Sequence, residues 1–167
     1  PGAIFTASRL DAPKRMDWVV QAYLKAKVDV PLVIAGDGPQ RQLLNDLAHD
    51  HPHIHLVGRL TDAELASAYQ SALFVPFVPD REDYGLITLE ALQAGKPVLT
   101  CTDAGGVTEL VQHEVNGLIA QPDVPSLATA MRRLSTDAEL RNRLAARAQS
   151  SVAHIAWPTL AQAFCRP

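Results

Sequence analysis

The chain has 167 residues, of which 47% are hydrophobic, a size and composition typical of one globular domain with its own core. Its net charge of −3 argues against a nucleic-acid binder, and no apolar run approaches the roughly 18 residues that cross a membrane. The N-terminus lacks the charged stretch of a signal peptide. Two lone cysteines, Cys101 and Cys165, favour a reducing compartment over a disulfide framework. We therefore predict a cytoplasmic protein, either free or, within a longer chain, at the inner membrane surface.

Short apolar runs alternate along the chain with stretches of helical period. The runs predict buried strands at 3–7, 32–35, 54–57, 73–78 and 98–101, with a weaker one at 117–120. The periodic stretches predict helices at 16–27, 39–49, 62–71, 85–94, 106–112 and 126–149. Thr61 with Glu64 forms a capping-box sequence, and Pro39 suits a first helical turn. This alternation predicts a doubly wound, Rossmann-like parallel sheet of about six strands with helices on both faces.

Ligands of such a sheet bind beyond the carboxyl ends of its strands, so residues directly after a strand are candidates for function. Arg9 and Lys14 follow the first strand as two cations suited to a diphosphate, with a solvated basic loop as the alternative. The tight turn at 36–39 contains glycines that permit close approach of a ligand, although most such turns only connect elements. Arg59 and Leu60 follow the third strand and offer backbone groups to a flat base edge.

The segment after the fourth strand carries the strongest signal. A helix beginning near Gly85 presents the free amides of Gly85 and Leu86 to the ligand edge, where they suit phosphate oxygens. Glu82 lies in the loop ahead of this helix and Glu90 lies little more than one turn inside it. The two carboxylates can therefore flank a diphosphate, one facing a sugar and the other a ribose. The alternative makes Glu82 a helix-dipole partner and Glu90 an exposed helix residue, but the apolar neighbours of Glu90 make an unpartnered carboxylate costly.

A series of motifs now points to a known family. In chain order they are Arg9-Leu10 with Lys14, Gly36-Asp37-Gly38-Pro39, Leu56-Val57-Gly58, Glu82-x7-Glu90, Glu90-Ala91-Leu92-Gln93-Ala94-Gly95-Lys96-Pro97-Val98, Gly105-Gly106-Val107-Thr108-Glu109 and Asn116-Gly117-Leu118. Together they resemble, over nearly the whole chain, the C-terminal, donor-binding domain of glycosyltransferase family 4, or group 1, which has the GT-B fold. Trp157 also resembles the aromatic residue before the last helix of that family.

The resemblance implies a function for the domain. Residues 1–167 would form the nucleotide-sugar-binding half of a two-domain retaining enzyme, with the N-terminal acceptor domain absent from the chain. Such an enzyme transfers a hexose from a UDP- or GDP-linked donor to a glycan, a lipid or a small molecule. The resemblance implies no cofactor and no metal, because fixed cations and helix amides would neutralise the diphosphate.

The resemblance also implies a role for each site residue. The diphosphate would be bound by Arg9, Lys14, Gly85 and Leu86, the ribose by Glu90, and the base by Arg59 and Leu60. Glu82 would be the catalytic residue, contacting the sugar beside Asp83 and Tyr84 and stabilising positive charge at the anomeric carbon. The chain departs from the family where Glu-Asp-Tyr-Gly replaces Glu-Gly-Phe-Gly and where Arg15 replaces a common glycine.

Other polar clusters favour structural explanations. His51, His53 and His55 would share one face of a strand, but a solvated approach to the third strand is favoured over a metal site because nothing supplies outer partners. The arginines at 132–147 predict a solvated helical face. Cys101 ends a strand and is interpreted as a small buried hydrophobe.

Two other classes of function stay open on the residues alone. The first is a non-catalytic nucleotide-binding or regulatory module of Rossmann type, which would bind nucleotide without using the predicted role of Glu82. The second is an NAD-dependent oxidoreductase domain, which needs a Gly-x-Gly-x-x-Gly turn after the first strand. The loop at 8–13 lacks that turn, which argues against the dehydrogenase.

Overall fold

The computed structural model describes residues 2–155, which form one six-stranded sheet flanked by helices. Every strand pairing is parallel. The strands are β1 (Ala3–Ala7), β2 (Leu32–Ala35), β3 (Ile54–Gly58), β4 (Ala72–Pro76), β5 (Val98–Cys101) and β6 (Gly117–Ala120). The predicted doubly wound, Rossmann-like fold is confirmed. Trp157 and Cys165 lie outside the described residues.

The helices are α1 (Met16–Ala26), α2 (Arg41–Ala48), α3 (Asp62–Ser71), α4 (Leu86–Gln93), α5 (Val107–Leu110), α6 (Val124–Thr136) and α7 (Ala138–Ser151). The predicted capping box begins α3: the Glu64 amide donates to Thr61 Oγ1 at 3.3 Å, and the Thr61 amide donates to Glu64 Oε2 at 2.8 Å. The prediction that Pro39 opens α2 is wrong. The Arg41 amide bonds the Gly38 carbonyl in a turn, and the helix starts only after it.

The long helix predicted at 126–149 is two helices, and Asp137 separates them. Its backbone, with φ −94° and ψ 92°, is not helical. The Asp137 side chain accepts a hydrogen bond from the Leu140 amide at 2.8 Å and thereby caps α7. Periodicity did not mark this break because the segments on both sides of it are helical and bury apolar side chains, among them Leu134 on α6 and Leu140 on α7.

The strand order, β3-β2-β1-β4-β5-β6, places β1 beside β4 in the middle of the sheet. The chain builds outward from β1 to β3 and then returns to the other side of β1. In open parallel sheets ligands bind at such a reversal, beyond the carboxyl ends of the two central strands. The loops after β1 and β4, which carry most of the predicted site residues, are therefore neighbours.

Helices on both faces cover a core in which Ile4, Phe74 and Leu99 are fully buried. The predicted solvated arginine face is largely confirmed, since all but Arg141 of these arginines are exposed, but two of the side chains also bind backbone carbonyls. Arg132 Nε donates to the Ala26 carbonyl at 2.8 Å, and Arg141 Nη1 donates to the Leu134 carbonyl at 2.7 Å. Both arginines thus bind carbonyls at helix ends, where cations are favoured.

Cys101 is fully buried, and burial raises the pKa of its thiol to about 12, as expected of a small buried hydrophobe. His53 and His55 are exposed, consistent with the predicted solvated approach to β3. Within residues 2–155 no group of three or more histidine, cysteine or acidic side chains is arranged to hold a metal. None of the helices in this part of the chain has the length and apolar composition needed to cross a bilayer.

Candidate active site

The loop after β1 contributes one wall of the site. A short 3₁₀ helix at Ala12–Lys14 turns the chain so that Lys14 leaves the end of the sheet. The Pro13 carbonyl accepts a hydrogen bond from the Asp80 amide at 2.8 Å, which ties this loop to the loop after β4. The strand order therefore joins two segments that are more than sixty residues apart along the chain.

Lys14 and Glu82 form an ion pair across these two loops, between Nζ and Oε2. Only 24% of the Lys14 side chain and 20% of the Glu82 side chain are exposed. The Phe77 ring lies 5.8 Å from Nζ, where its face favours a cation. The predicted phosphate cation and the predicted sugar-facing carboxylate are thus direct neighbours.

The backbone of Glu82 is held on its other side by the loop after β5. The Glu82 amide donates to the Ala104 carbonyl at 3.2 Å, and the Gly106 amide donates to the Glu82 carbonyl at 2.7 Å. A Cβ at Gly106 would lie 2.2 Å from the Asp83 carbonyl oxygen, so only glycine allows the two loops to approach this closely. The motif at 105–109 therefore supports the position of Glu82.

Arg15, which the sequence analysis noted only as a replacement of a common glycine, is a structural residue of this site. It occupies the left-handed region at φ 49°, which explains why the family commonly has glycine there. Its guanidinium donates to Asp103 at 2.9 Å, lies 3.3 Å from Asp80 and stacks 4.5 Å from the Trp18 ring. These contacts connect the loops after β1, β4 and β5, which gives a local reason for arginine in a strained position.

The N-terminus of α4 faces the same end of the sheet. Gly85 caps the helix at φ 63°, a conformation that favours glycine. Among residues 2–155, no acceptor bonds the amides of Gly85 and Leu86. Because the first amides of a helix carry partial positive charge, they suit an anionic ligand next to Lys14.

Glu90 lies on the second turn of α4 and has a partner that the sequence did not reveal. The Tyr69 hydroxyl on α3 donates to Glu90 Oε2 at 3.0 Å. Tyr69 is buried, whereas Glu90 is exposed. One signal was available: Leu65 and Tyr69 are four residues apart on α3, and a tyrosine on a buried helix face needs a hydrogen-bond partner. Glu90 is therefore exposed, as in the alternative interpretation, and the cost argued from its apolar neighbours does not arise, but its carboxylate has a partner.

An open pocket of about 340 Å³ lies beyond the ends of β1, β2 and β3, and we call it the strand-end pocket. Its lining includes four residues predicted to contact the donor, Arg9, Arg59, Leu60 and Glu90. Arg9 is highly exposed, and its guanidinium forms an ion pair with Asp11 at 2.9 Å. Arg9 and Lys14, although predicted to act together, have different partners in the structure.

The turn at 36–39 also borders the strand-end pocket, but its first glycine has an internal role. Gly36 has φ 122°, and a Cβ there would lie 1.8 Å from the Ser8 carbonyl oxygen. The close approach observed at this turn is thus made by the loop after β1. Asp83 and Tyr84, predicted to contact the sugar, are exposed beside α4 and do not line the pocket.

Residues 1–151 match the family described as "Glycosyl transferases group 1". The chain therefore belongs to this family of glycosyltransferases, and the resemblance inferred from its motifs is confirmed. The match covers both predicted glutamates and every loop of the site.

Curated relatives agree with this family. An uncharacterized glycosyltransferase of Methanocaldococcus jannaschii, MJ1607, is 32% identical over 89% of this chain and 40% of its own length. A GDP-mannose-dependent phosphatidylinositol monomannoside mannosyltransferase of Mycobacterium tuberculosis is 34% identical over 92% of the chain and 44% of its own length. The chain thus spans about two fifths of the length of these relatives.

A solved structure supports the fold. Anabaena Alr3699/HepE, crystallised with UDP and glucose, superposes with a TM-score of 0.85 at 23% identity. The match covers 98% of this chain and 47% of that protein. The chain therefore shares the fold of about half of that protein.

Proposed function

We propose that this chain is the donor-binding domain of a retaining hexosyltransferase that uses a nucleoside-diphosphate sugar. The observation that carries the proposal is the order of groups along one edge of the sheet. Arg59 and Leu60 border the strand-end pocket, and Glu90 borders it from α4. The Lys14–Glu82 pair joins the loop after β1 to the loop after β4, which leads into that helix. This order matches base, ribose, diphosphate and sugar in a nucleotide-sugar donor.

Each group then has a task that suits its chemistry. The paired hydroxyls of a ribose suit a carboxylate acceptor such as Glu90. The free amides at the start of α4 and the Lys14 ammonium would neutralise the diphosphate. Glu82, beside Lys14, would face the sugar and stabilise positive charge that develops at the anomeric carbon. Arg9 would add a second cation at the strand-end pocket, which it lines.

The reaction would replace the bond between the anomeric carbon and the diphosphate oxygen by a bond to an acceptor oxygen on the same face. The electron pair of the broken bond leaves with the diphosphate, which also accepts the proton of the acceptor hydroxyl. The two glutamates differ from those of retaining hydrolases, in which both carboxyl groups flank the scissile bond. Here Glu90 is held by Tyr69 and is assigned to the ribose.

Names of related proteins support the donor class. The Mycobacterium tuberculosis relative is named as GDP-mannose-dependent, and Alr3699/HepE was solved with UDP and glucose. GDP-mannose is a nucleoside-diphosphate sugar, and UDP and glucose are the two parts of another. The two donors belong to one chemical class and differ in their base. The donor is therefore proposed as a nucleoside diphosphate sugar, and its base would be identified by measuring the binding of UDP-, GDP- and ADP-linked hexoses.

Paired titrations of two glutamate variants test the proposal. Glu90→Gln is expected to weaken nucleoside diphosphate and nucleotide sugar alike, by about 1–3 kcal/mol, because both ligands contain ribose. Glu82→Gln is expected to weaken only the nucleotide sugar, since the freed Lys14 ammonium can still bind diphosphate. Isothermal titration calorimetry with both ligands measures the difference.

Glu139→Gln, an exposed carboxylate on α7 away from the sheet edge, is the matched control and is expected to bind like the parent. Equal losses of both ligands in Glu82→Gln would show that the sugar-facing carboxylate is misassigned. Absence of any nucleotide binding by the parent chain would overturn the proposed function itself.

Nucleotide binding is also expected to be unaffected by EDTA. Lys14, Arg9 and the amides of α4 supply fixed positive charge at the diphosphate, so no divalent cation is needed to neutralise it. Titrations in EDTA, magnesium and manganese check this expectation. A strict requirement for either metal would contradict it.

A further inference from the structure

Tyr69 and Glu90 form a buried donor and an exposed acceptor on neighbouring helices. Tyr69 is 4% exposed, and its ring meets Phe5 edge-on at 5.2 Å between centroids. These contacts hold the ring on the core side of α3, with its hydroxyl 3.0 Å from Glu90 Oε2. The donor is therefore rigid, while the acceptor belongs to a long side chain at the surface.

The Tyr69 hydroxyl remains a donor under physiological conditions. Burial raises the pKa of Tyr69, and the nearby carboxylate of Glu90 raises it further. A neutral hydroxyl beside a carboxylate can only donate to it, so this hydrogen bond has one direction. It occupies Oε2, while Oε1 of Glu90 accepts no hydrogen bond within residues 2–155.

Glu90 lies where two pockets meet. One is the strand-end pocket, and the other, of about 350 Å³, lies between α3 and α4 and is lined by Tyr69, Gln70 and Gln93. Glu90 and Leu65 line both pockets. An exposed glutamate has several rotamers available, so without a fixed partner its carboxylate would distribute between the two pockets.

We propose that Tyr69 is a positioning residue that holds the Glu90 carboxylate where the two pockets meet, with one oxygen free for the ribose hydroxyls. The proposal rests on the proposed function and deepens it, since it names the group that sets the geometry of ribose recognition. Its physical basis is preorganisation: the conformational cost of ordering Glu90 is met by the fold before the nucleotide binds.

Tyr69→Phe tests the proposal, because phenylalanine keeps the ring and its contact with Phe5 and removes only the donor. The probes are UDP, GDP and ADP, of which the one that binds the parent tightest is used, together with its 2′,3′-dideoxy form. Tyr69→Phe is expected to raise the Kd of the normal nucleotide about three- to tenfold, the range for ordering one long side chain. The Kd of the dideoxy nucleotide is expected to change less than twofold, because that ligand has no hydroxyls for Glu90.

Tyr23→Phe is the matched control. Tyr23 is 1% exposed, and its hydroxyl donates to the Val30 carbonyl at 2.7 Å, away from both pockets. Loss of the Tyr23 hydroxyl is expected to lower the melting temperature and to leave the Kd values of the normal and the dideoxy nucleotide unchanged. A double variant with Glu90→Gln completes the cycle: in that background Tyr69→Phe is expected to have less than a twofold effect.

The outcomes separate this inference from the function on which it rests. An unchanged Kd in Tyr69→Phe, or an equal increase for the normal and the dideoxy nucleotide, overturns the positioning role while nucleotide binding stands. Binding of no nucleotide by the parent chain overturns both. A ribose-dependent loss confined to Tyr69→Phe supports the inference, because a general loosening of the fold would appear in Tyr23→Phe as well.

Discussion

The 167-residue chain by itself is expected to bind a nucleotide sugar and to transfer no sugar to an acceptor. The candidate donor site lies along one open edge of one sheet, and Tyr84 and Leu86 beside it are 76% and 54% exposed. The described residues supply no second wall that would exclude water or align an acceptor. Positioning of reactants contributes about 7–11 kcal/mol to lowering a barrier, so its absence should leave turnover undetectable.

A product assay measures this expectation. The chain is incubated with the nucleotide sugar that it binds best and with a panel of glycan, lipid and small-molecule acceptors, and products are followed by mass spectrometry. Thermal shift on the same sample shows that donor is bound. Robust transfer by these 167 residues would contradict the expectation and show that the described edge is sufficient for catalysis.

The second large effect is expected for Lys14→Ala, which should weaken nucleoside diphosphate binding by about 1.5–3 kcal/mol, the range for a charged hydrogen bond. The change removes the cation and leaves the largely buried Glu82 carboxylate without its partner. An unpaired negative charge next to the diphosphate adds repulsion, so the loss should lie towards the upper end. The range also applies to Arg9→Ala, with a smaller loss expected because Arg9 is 79% exposed.

Calorimetric titration with the nucleoside diphosphate measures both losses. Lys25→Ala, which removes an exposed lysine in the last turn of α1, is the matched control and is expected to bind like the parent. In the double variant of Lys14→Ala and Glu82→Gln part of the lost affinity should return, because the repulsive carboxylate is gone. If Lys14→Ala and Arg9→Ala both bind like the parent, the phosphate site has been misplaced.

Several features of the fold followed from local sequence. Each predicted strand agrees with a structural one to within two residues, because strands buried on both faces are short apolar runs. The break between α6 and α7 at Asp137 was missed, because it is set by one side-chain cap that the helical periodicity of the flanking segments does not mark. Local sequence also predicted correctly that Glu82 lies in a loop and that Glu90 lies on the helix that follows it.

The partners of these glutamates were decided by the tertiary structure alone. Lys14 is 68 residues from Glu82, and Tyr69 is 21 residues from Glu90. The alternation of strands and helices predicts a parallel sheet, but it does not state that β1 lies beside β4. Periodicity reports which face of an element is buried, whereas a contact between elements depends on strand order and on how helices pack across the sheet. The residue types of the site were therefore determined by the sequence by itself, and their pairing was determined by the order in which the strands assemble.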